Sequence, residues 1–293
     1  MKLASFFAGV GGIDLAFEQA GFQATYANEI NQTSCKTFEA NSRLKVDNRD
    51  IKSVQPNQIP DSDVFLAGFP CQAFSVAGHR QGFCDEKGRG TLFFELLRII
   101  KEKMPPIIFL ENVKNLVSHD NGNTFNVIYD SLSVLGYHIS YKVLNSAKYG
   151  NVPQSRERIY IIGFIDRCVR DRFEFPNEIA LSTTIHDYID FENKQDDRYY
   201  YSASKCNFYE VLQEYMISSD TLYQWRRQYV RENKNNLCPT LTANMGTGGH
   251  NVPLVKTKFG IRKLTPRECF NLQGFPKAVS YTHLRAHETV LDL

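Results

Sequence analysis

Apolar residues fall in short runs along the first half of the chain, and these runs alternate with stretches of helical spacing. Leu3 to Ala8 has the pattern of a buried strand and ends in Gly9, Gly11 and Gly12, the composition of a tight turn. Ile13, Ala16, Phe17 and Ala20 then recur at i, i+3, i+4 and i+7, with Gly21 placed to cap a helix. Gln23 to Asn28 reads as a second strand with Glu29 at its end, and Val64 to Ala67 as a third that runs into Gly68-Phe69-Pro70-Cys71. The glycine-rich stretch from Gln72 to Gly90 is too long for a simple connection and reads as a functional loop. A helix from about Leu92 carries Phe93, Leu96, Leu97 and Ile100 on one face and stops at Pro105-Pro106. Ile107 to Leu110 is the next strand, ending at Glu111-Asn112. Phe125, Ile128, Tyr129 and Leu132 mark a helix, and His138 to Leu144 and Arg158 to Phe164 are two further strands.

Strands alternating with helices predict an α/β fold with a doubly wound, mostly parallel sheet. Ligands of such sheets bind at the carboxyl ends of the strands. Gly9, Glu29, Cys71 and Glu111 all fall at predicted strand ends, so one sheet edge is expected to gather them. After about Asp166 the pattern weakens. Tyrosines crowd a segment without a clear period, and Asp166 to about Lys258 reads as a smaller second domain of irregular structure.

Composition narrows the class. A chain of 293 residues has room for a large domain with a small one beside it, and 42% hydrophobic with 23% charged residues suits a folded globular protein. No apolar run approaches the roughly 20 residues that cross a membrane, and the start does not read as a signal peptide, so a cytosolic protein is expected. The seven cysteines form no C-x-x-C pair, which suggests neither a metal site nor a disulfide framework. Net charge is only +2, but Thr221 to Asn271 holds nine Lys or Arg against two acids, a surplus that suits a phosphate-facing surface or a merely solvated face.

Four short motifs carry chemistry. Phe6-Phe7-Ala8-Gly9-Val10-Gly11-Gly12 lets backbone approach a ligand at a helix N-terminus, and Glu29 is placed to hold two ribose hydroxyls. Cys71, beside a Gly/Pro turn, is placed for attack, although most cysteines are small buried hydrophobes. Glu111 supplies a carboxyl at a neighbouring strand end, and Gln154-Ser155-Arg156-Glu157-Arg158 supplies two guanidiniums.

In order and spacing these motifs resemble the DNA cytosine-5 methyltransferase family of the bacterial restriction-modification type. The resemblance runs from Leu3 to Pro276 and adds Asp50 and the Arg262-Lys263-Leu264-Thr265-Pro266-Arg267-Glu268 and Leu272-Gln273-Gly274-Phe275-Pro276 motifs. It implies the class I S-adenosylmethionine-dependent methyltransferase fold and methyl transfer from S-adenosylmethionine to C5 of a flipped-out cytosine in duplex DNA. Cys71 would attack C6, Glu111 would hold a proton at ring N3, and Arg156 and Arg158 would hold the base. Phe6, Gly9, Val10, Gly11, Gly12, Glu29, Ile30, Asp50, Ile51, Pro70 and Leu92 match positions lining the cofactor pocket in relatives. Gln72 and Ser75 lie in the loop that closes on DNA, Thr240 and Leu241 resemble a recognition element, and Lys256 and Arg262 are candidates for phosphate contacts.

The domains so implied are 1–165 for catalysis and cofactor, 166–258 for target recognition, and a return segment over 259–278. After Ala278 the resemblance is lost, the family's last motif is missing, and 279–293 is expected to be a non-native or divergent tail. The implied partners are double-stranded DNA and a cognate restriction endonuclease, with no membrane or metal, in a bacterial cytosol or encoded by a phage. Two alternatives stay open: a catalytically impaired DNA-binding homologue, and a tRNA cytosine-5 methyltransferase, whose Cys-Phe-Thr element is not found here.

Overall fold

The computed structural model describes residues 1–70, 92–226, 228–242 and 252–281. In chain order it runs β1 (Lys2–Phe6), α1 (Gly12–Gln19), β2 (Gln23–Asn28), α2 (Gln32–Asn41), β3 (Val64–Gly68), α3 (Leu92–Lys103), β4 (Ile107–Val113), α4 (Asn123–Val134), β5 (His138–Asn145), α5 (Ser146–Tyr149), β6 (Gln154–Ser155), β7 (Glu157–Phe164), α6 (Arg167–Arg172), α7 (Tyr209–Tyr215), β8 (Tyr223–Trp225), β9 (Val230–Glu232), β10 (Cys238–Pro239), β11 (Pro253–Thr257), β12 (Gly260–Lys263) and α8 (Pro266–Leu272). Two compact units divide it. One holds Met1–Leu144 and Arg158–Phe175, the other Asn145–Glu157 and Pro176–Asp292.

The first unit is built on a six-stranded sheet in the order β2-β1-β3-β4-β7-β5. Neighbours among β2, β1, β3 and β4 pair in parallel, and β7 joins β4 antiparallel. Alternate residues serve opposite faces, as the pleat requires. Leu3, Val64 and Leu66 pack with Ile13 and Phe17 of α1, whereas Ala4, Phe6, Phe65, Ala67, Ile108 and Leu110 pack with Phe93, Leu96 and Ile100 of α3 and Ile128 and Leu132 of α4. A sheet covered on both faces explains why its strands read as continuous apolar runs. α2 had no clear apolar stripe to announce it. Its sequence signal is Asn31, whose side chain accepts from the Ser34 amide and caps the helix.

The second unit is more regular than its sequence suggests. It contains a four-stranded sheet in the order β12-β11-β8-β9, a parallel β6–β10 pair, and a core that includes Leu212, Leu222, Tyr223, Leu254, Ile261 and Leu272. Its strands are two to five residues long, too short to show a period of two. Its bounds also differ from the expected domain limits. Asn145–Glu157 fall in the second unit because β6 pairs with β10, while residues 166–175 stay with the first. The segment 259–278 lies in the second unit, where β12 completes the sheet.

Candidate active site

The turn after β1 is shaped by backbone. Phe7, Gly9 and Gly11 have φ of 53°, 56° and 84°, three left-handed residues in five. A side chain on Gly11 would meet the Phe38 ring at 2.7 Å, so that position excludes any Cβ. Three hydrogen bonds hold the turn: Ala8 N to the Asn28 carbonyl, Gly11 N to the Ala8 carbonyl, and Gly9 N to Glu29 Oε2 at 2.9 Å. Glu29 Oε1 accepts from Asn31 N at 2.7 Å, so backbone amides orient both carboxylate oxygens. Ile30, next in sequence, is 65% exposed, an apolar platform beside a fixed carboxylate.

The structure redistributes the other candidates at this edge. Phe6 is fully buried against Phe65 and Tyr26, so its side chain belongs to the core. The aromatic on the turn is Phe7, half-buried, one residue beyond the strand. Val10 and Ile51 are also buried, while Pro70 and Leu92 are half-buried. Asp50 opens a single 3-10 turn, its Oδ1 accepting from Lys52 N.

Glu111 lies two residues inside the end of β4, because the β4–β7 ladder continues to Val113 opposite Arg158. It stands opposite Gly68 of β3, three residues before Cys71. Its carboxylate and the Arg158 guanidinium form a buried ion pair at 2.9 Å. Asn112 was not among the candidates, yet its side-chain amide donates to the Phe69 carbonyl at 2.8 Å and fixes the strand end leading to Pro70. Its signal was adjacency to Glu111 in one motif. Cys71, Gln72 and Ser75 lie outside the described residues. Among the described cysteines, burial pushes the Cys35 thiol up to about 11 and raises Cys206, Cys238 and Cys269, which suits packing thiols.

In the second unit the recognition candidates serve its own framework. Leu241 is 1% exposed and belongs to the core. Thr240 Oγ1 donates to the Ser155 carbonyl at 2.7 Å, and Arg156 Nη1 to the Leu241 carbonyl at 3.4 Å. Gln154, fully buried, donates to the Leu272 carbonyl and locks β6 in place. Arg262 is fully buried and cannot reach a phosphate. Its guanidinium forks onto Glu268 at 2.7 and 2.8 Å and donates to the carbonyls of Asp190 and Lys263. Lys256 Nζ donates to the Met216 carbonyl at 2.7 Å, Lys258 pairs with Glu192, and Arg267 lies over the Tyr281 ring. Much of the basic surplus is thus spent inside the unit. Its exposed polar face includes the β8–β9 hairpin, where Gln228, Tyr229 and Arg231 are exposed and Trp225 stacks on Phe208 at 4.2 Å between ring centres.

Comparison with known proteins gives the same outline. Residues 1–288 match the family model for C-5 cytosine-specific DNA methylases, a match that runs past Ala278 into the segment set apart by the sequence reading. The chain is 60% identical over 278 residues to the type II methyltransferase M.Bsp6I of Bacillus sp. (strain RFL6), covering 94% of this chain and 88% of that one. It is 36% identical over 298 residues to M.HhaI of Haemophilus parahaemolyticus, covering 94% and 84%. Among solved structures, a Spodoptera frugiperda DNMT2 mutant superposes with a TM-score of 0.71 at 17% identity, over 99% of this chain and 96% of that one, a likeness of fold. The mixed, mostly parallel sheet, the glycine turn with its fixed glutamate, the buried carboxylate at the strand edge and the matched sequence together place the chain in the C-5 cytosine-specific DNA methylase family.

Proposed function

We propose that this chain transfers a methyl group from S-adenosylmethionine to C5 of a flipped-out cytosine in a specific duplex sequence, through a covalent adduct on Cys71. The observation that carries the reading is the register of β3 and β4, with the buried Glu111–Arg158 pair opposite Gly68. That register brings a held carboxyl beside the strand leading to the cysteine. Cys71 attacks C6 of the ring, which makes C5 nucleophilic. Glu111 keeps a proton at N3, so that charge does not build on the ring. Arg158 fixes Glu111, and Arg156 is assigned to the base on the family resemblance alone. C5 takes the methyl group and loses its proton as Cys71 departs.

The glycine turn fits the cofactor. Gly11 lets it close tightly against Phe38, Glu29 has oriented oxygens for a ribose diol, and Ile30 offers an apolar surface to a flat base. When bound, S-adenosylmethionine supplies the methyl group on a sulfonium. Phe7, Asp50, Pro70 and Leu92 complete the lining. The second unit reads the target, and we assign its DNA contacts to Gln228, Tyr229 and Arg231 on the hairpin in place of Leu241 and Arg262. Arginine and glutamine read base edges in the major groove, and arginine also meets phosphate. The relatives are named as type II methyltransferases, which supports a restriction-modification context with a nuclease acting on the same site, in a bacterial cytosol. Among the described residues, no helix is long and apolar enough to cross a membrane.

The test is methyl transfer from labelled S-adenosylmethionine to mixed-sequence duplex DNA, with Cys71→Ala alongside and bisulfite sequencing of the product. Label on cytosine C5 that is lost in the variant supports the reading and gives the target sequence. Label that survives the substitution overturns the role of Cys71, and label on adenine overturns the reaction.

A further inference from the structure

One side-chain bond spans the glycine turn. Ser5 Oγ on β1 donates to Asp14 Oδ2 in the first turn of α1 at 3.0 Å, and both residues are 2% exposed. The second carboxyl oxygen, Oδ1, is buried with no hydrogen-bond partner among the described residues. A buried acid is normally paired with a cation or neutralised. Here β1 presents a hydroxyl, and the charge felt from α1 is Glu18, of the same sign. The helix N-terminus favours an anion at this position, but only weakly. Burial and Glu18 push the Asp14 carboxyl up to about 7, against the lowering by Ser5 and by its own backbone amide. Helix α1 otherwise turns Ile13 and Phe17 into an apolar cluster, where an apolar residue at 14 would suit the burial better.

The residue therefore makes sense if a positive charge arrives next to the turn it spans. We propose that Asp14 is the internal counter-charge of the cofactor site, a positioning residue tied to β1 by Ser5 that makes the glycine turn favour the sulfonium-bearing donor over its demethylated product. This rests on the reading that S-adenosylmethionine seats on that turn. Donor and product share the adenosine, the ribose and the amino-acid group, so contacts to Glu29, Ile30 and Asp50 serve both alike. They differ by one methyl group and the positive charge on sulfur. A carboxylate near that sulfur binds the donor more tightly, and by linkage the donor draws a proton off Asp14, which is released to buffer. The product, neutral at sulfur, does not. Exchange of product for donor after each turnover is thereby favoured by a group that touches neither the DNA nor the reacting carbon.

The experiment is isothermal titration of the whole protein with S-adenosylmethionine and, separately, with S-adenosylhomocysteine, across pH and in buffers of different ionisation enthalpy. If donor binding lowers the Asp14 pKa by one unit, the donor-to-product affinity ratio rises about fivefold from about pH 6 to about pH 8. Proton release accompanies donor binding and not product binding. Asp14→Asn, nearly isosteric, flattens the ratio and abolishes the release. Ser5→Ala moves the midpoint to higher pH, because it removes a bond that favours the carboxylate, and it provides a second variant if Asp14→Asn does not fold. A ratio independent of pH in the unmodified protein, or a rise that survives Asp14→Asn, overturns the proposal. Binding of neither ligand at any pH overturns the cofactor reading itself and takes the proposal with it.

Discussion

Arg262→Ala separates two accounts of the basic segment. As a phosphate contact, Arg262 would be dispensable for folding, and its loss would weaken DNA binding and reduce the salt slope by about one. The structure predicts otherwise. The guanidinium is fully buried, shares two hydrogen bonds with Glu268, and donates to the Asp190 and Lys263 carbonyls. Glu268 in turn accepts from the amides of Asp190 and Thr265. Truncation leaves a buried carboxylate without its counter-ion and two carbonyls without a donor. Breaking a buried pair of this kind costs about 3–5 kcal/mol, which for a chain of this size lowers the melting temperature by roughly 10 °C. Arg262→Lys keeps the charge but not the fork and recovers only part of the loss. Urea and thermal unfolding followed by circular dichroism measure it. An Arg262→Ala protein as stable as the parent, with a shallower salt dependence of DNA binding, would refute the assignment.

Three further perturbations follow from described geometry. Gly11→Ala forces a Cβ against Phe38 at a φ of 84°, costs at least about 1–2 kcal/mol, and weakens S-adenosylmethionine binding, both readable by calorimetry. Asp14 has a folded pKa of about 7, above the unfolded value near 4, so the folded state binds the extra proton between the two and stability falls as pH rises through that window. The fall, up to roughly 4 kcal/mol, levels off above pH 7 and is absent in Asp14→Asn, which pH-dependent urea titrations detect. Arg231→Ala and Gln228→Ala both leave the fold unchanged. The first weakens DNA binding with a smaller salt slope, and the second changes the methylated sequence, as footprint and bisulfite assays show.

The mostly parallel sheet was legible because its inner strands are buried on both faces and helices such as α3 carry apolar stripes. Gln23–Asn28 emerges with its limits as drawn, and α3 carries Phe93, Leu96, Leu97 and Ile100 on its buried face as their spacing predicts. The short strands of the second unit gave no such pattern, since their core joins residues as distant as Leu212 and Leu272. A count of charges could not tell Arg262 from a surface arginine, because its partner follows six residues later. Thr265-Pro266-Arg267-Glu268 is nonetheless a capping box, and reading it as a helix start would have turned Glu268 toward the preceding strand. On β1 every residue from Leu3 to Phe6 is buried, and it is the left-handed φ of Phe7, invisible in an apolar run, that ends the strand and puts the turn aromatic one residue beyond Phe6.

The chain leaves the sheet unit after Leu144, returns at Arg158, and leaves again after Phe175. The second unit, to which we assign target reading, is therefore encoded in two separate pieces. A graft that exchanges only the segment after Pro176 between relatives severs β10 from β6, and Leu241 and Leu272 from Gln154. Retargeting such an enzyme by recombination calls for crossovers that carry Asn145–Glu157 along with the later segment, or for donors whose versions of that thirteen-residue insert are interchangeable.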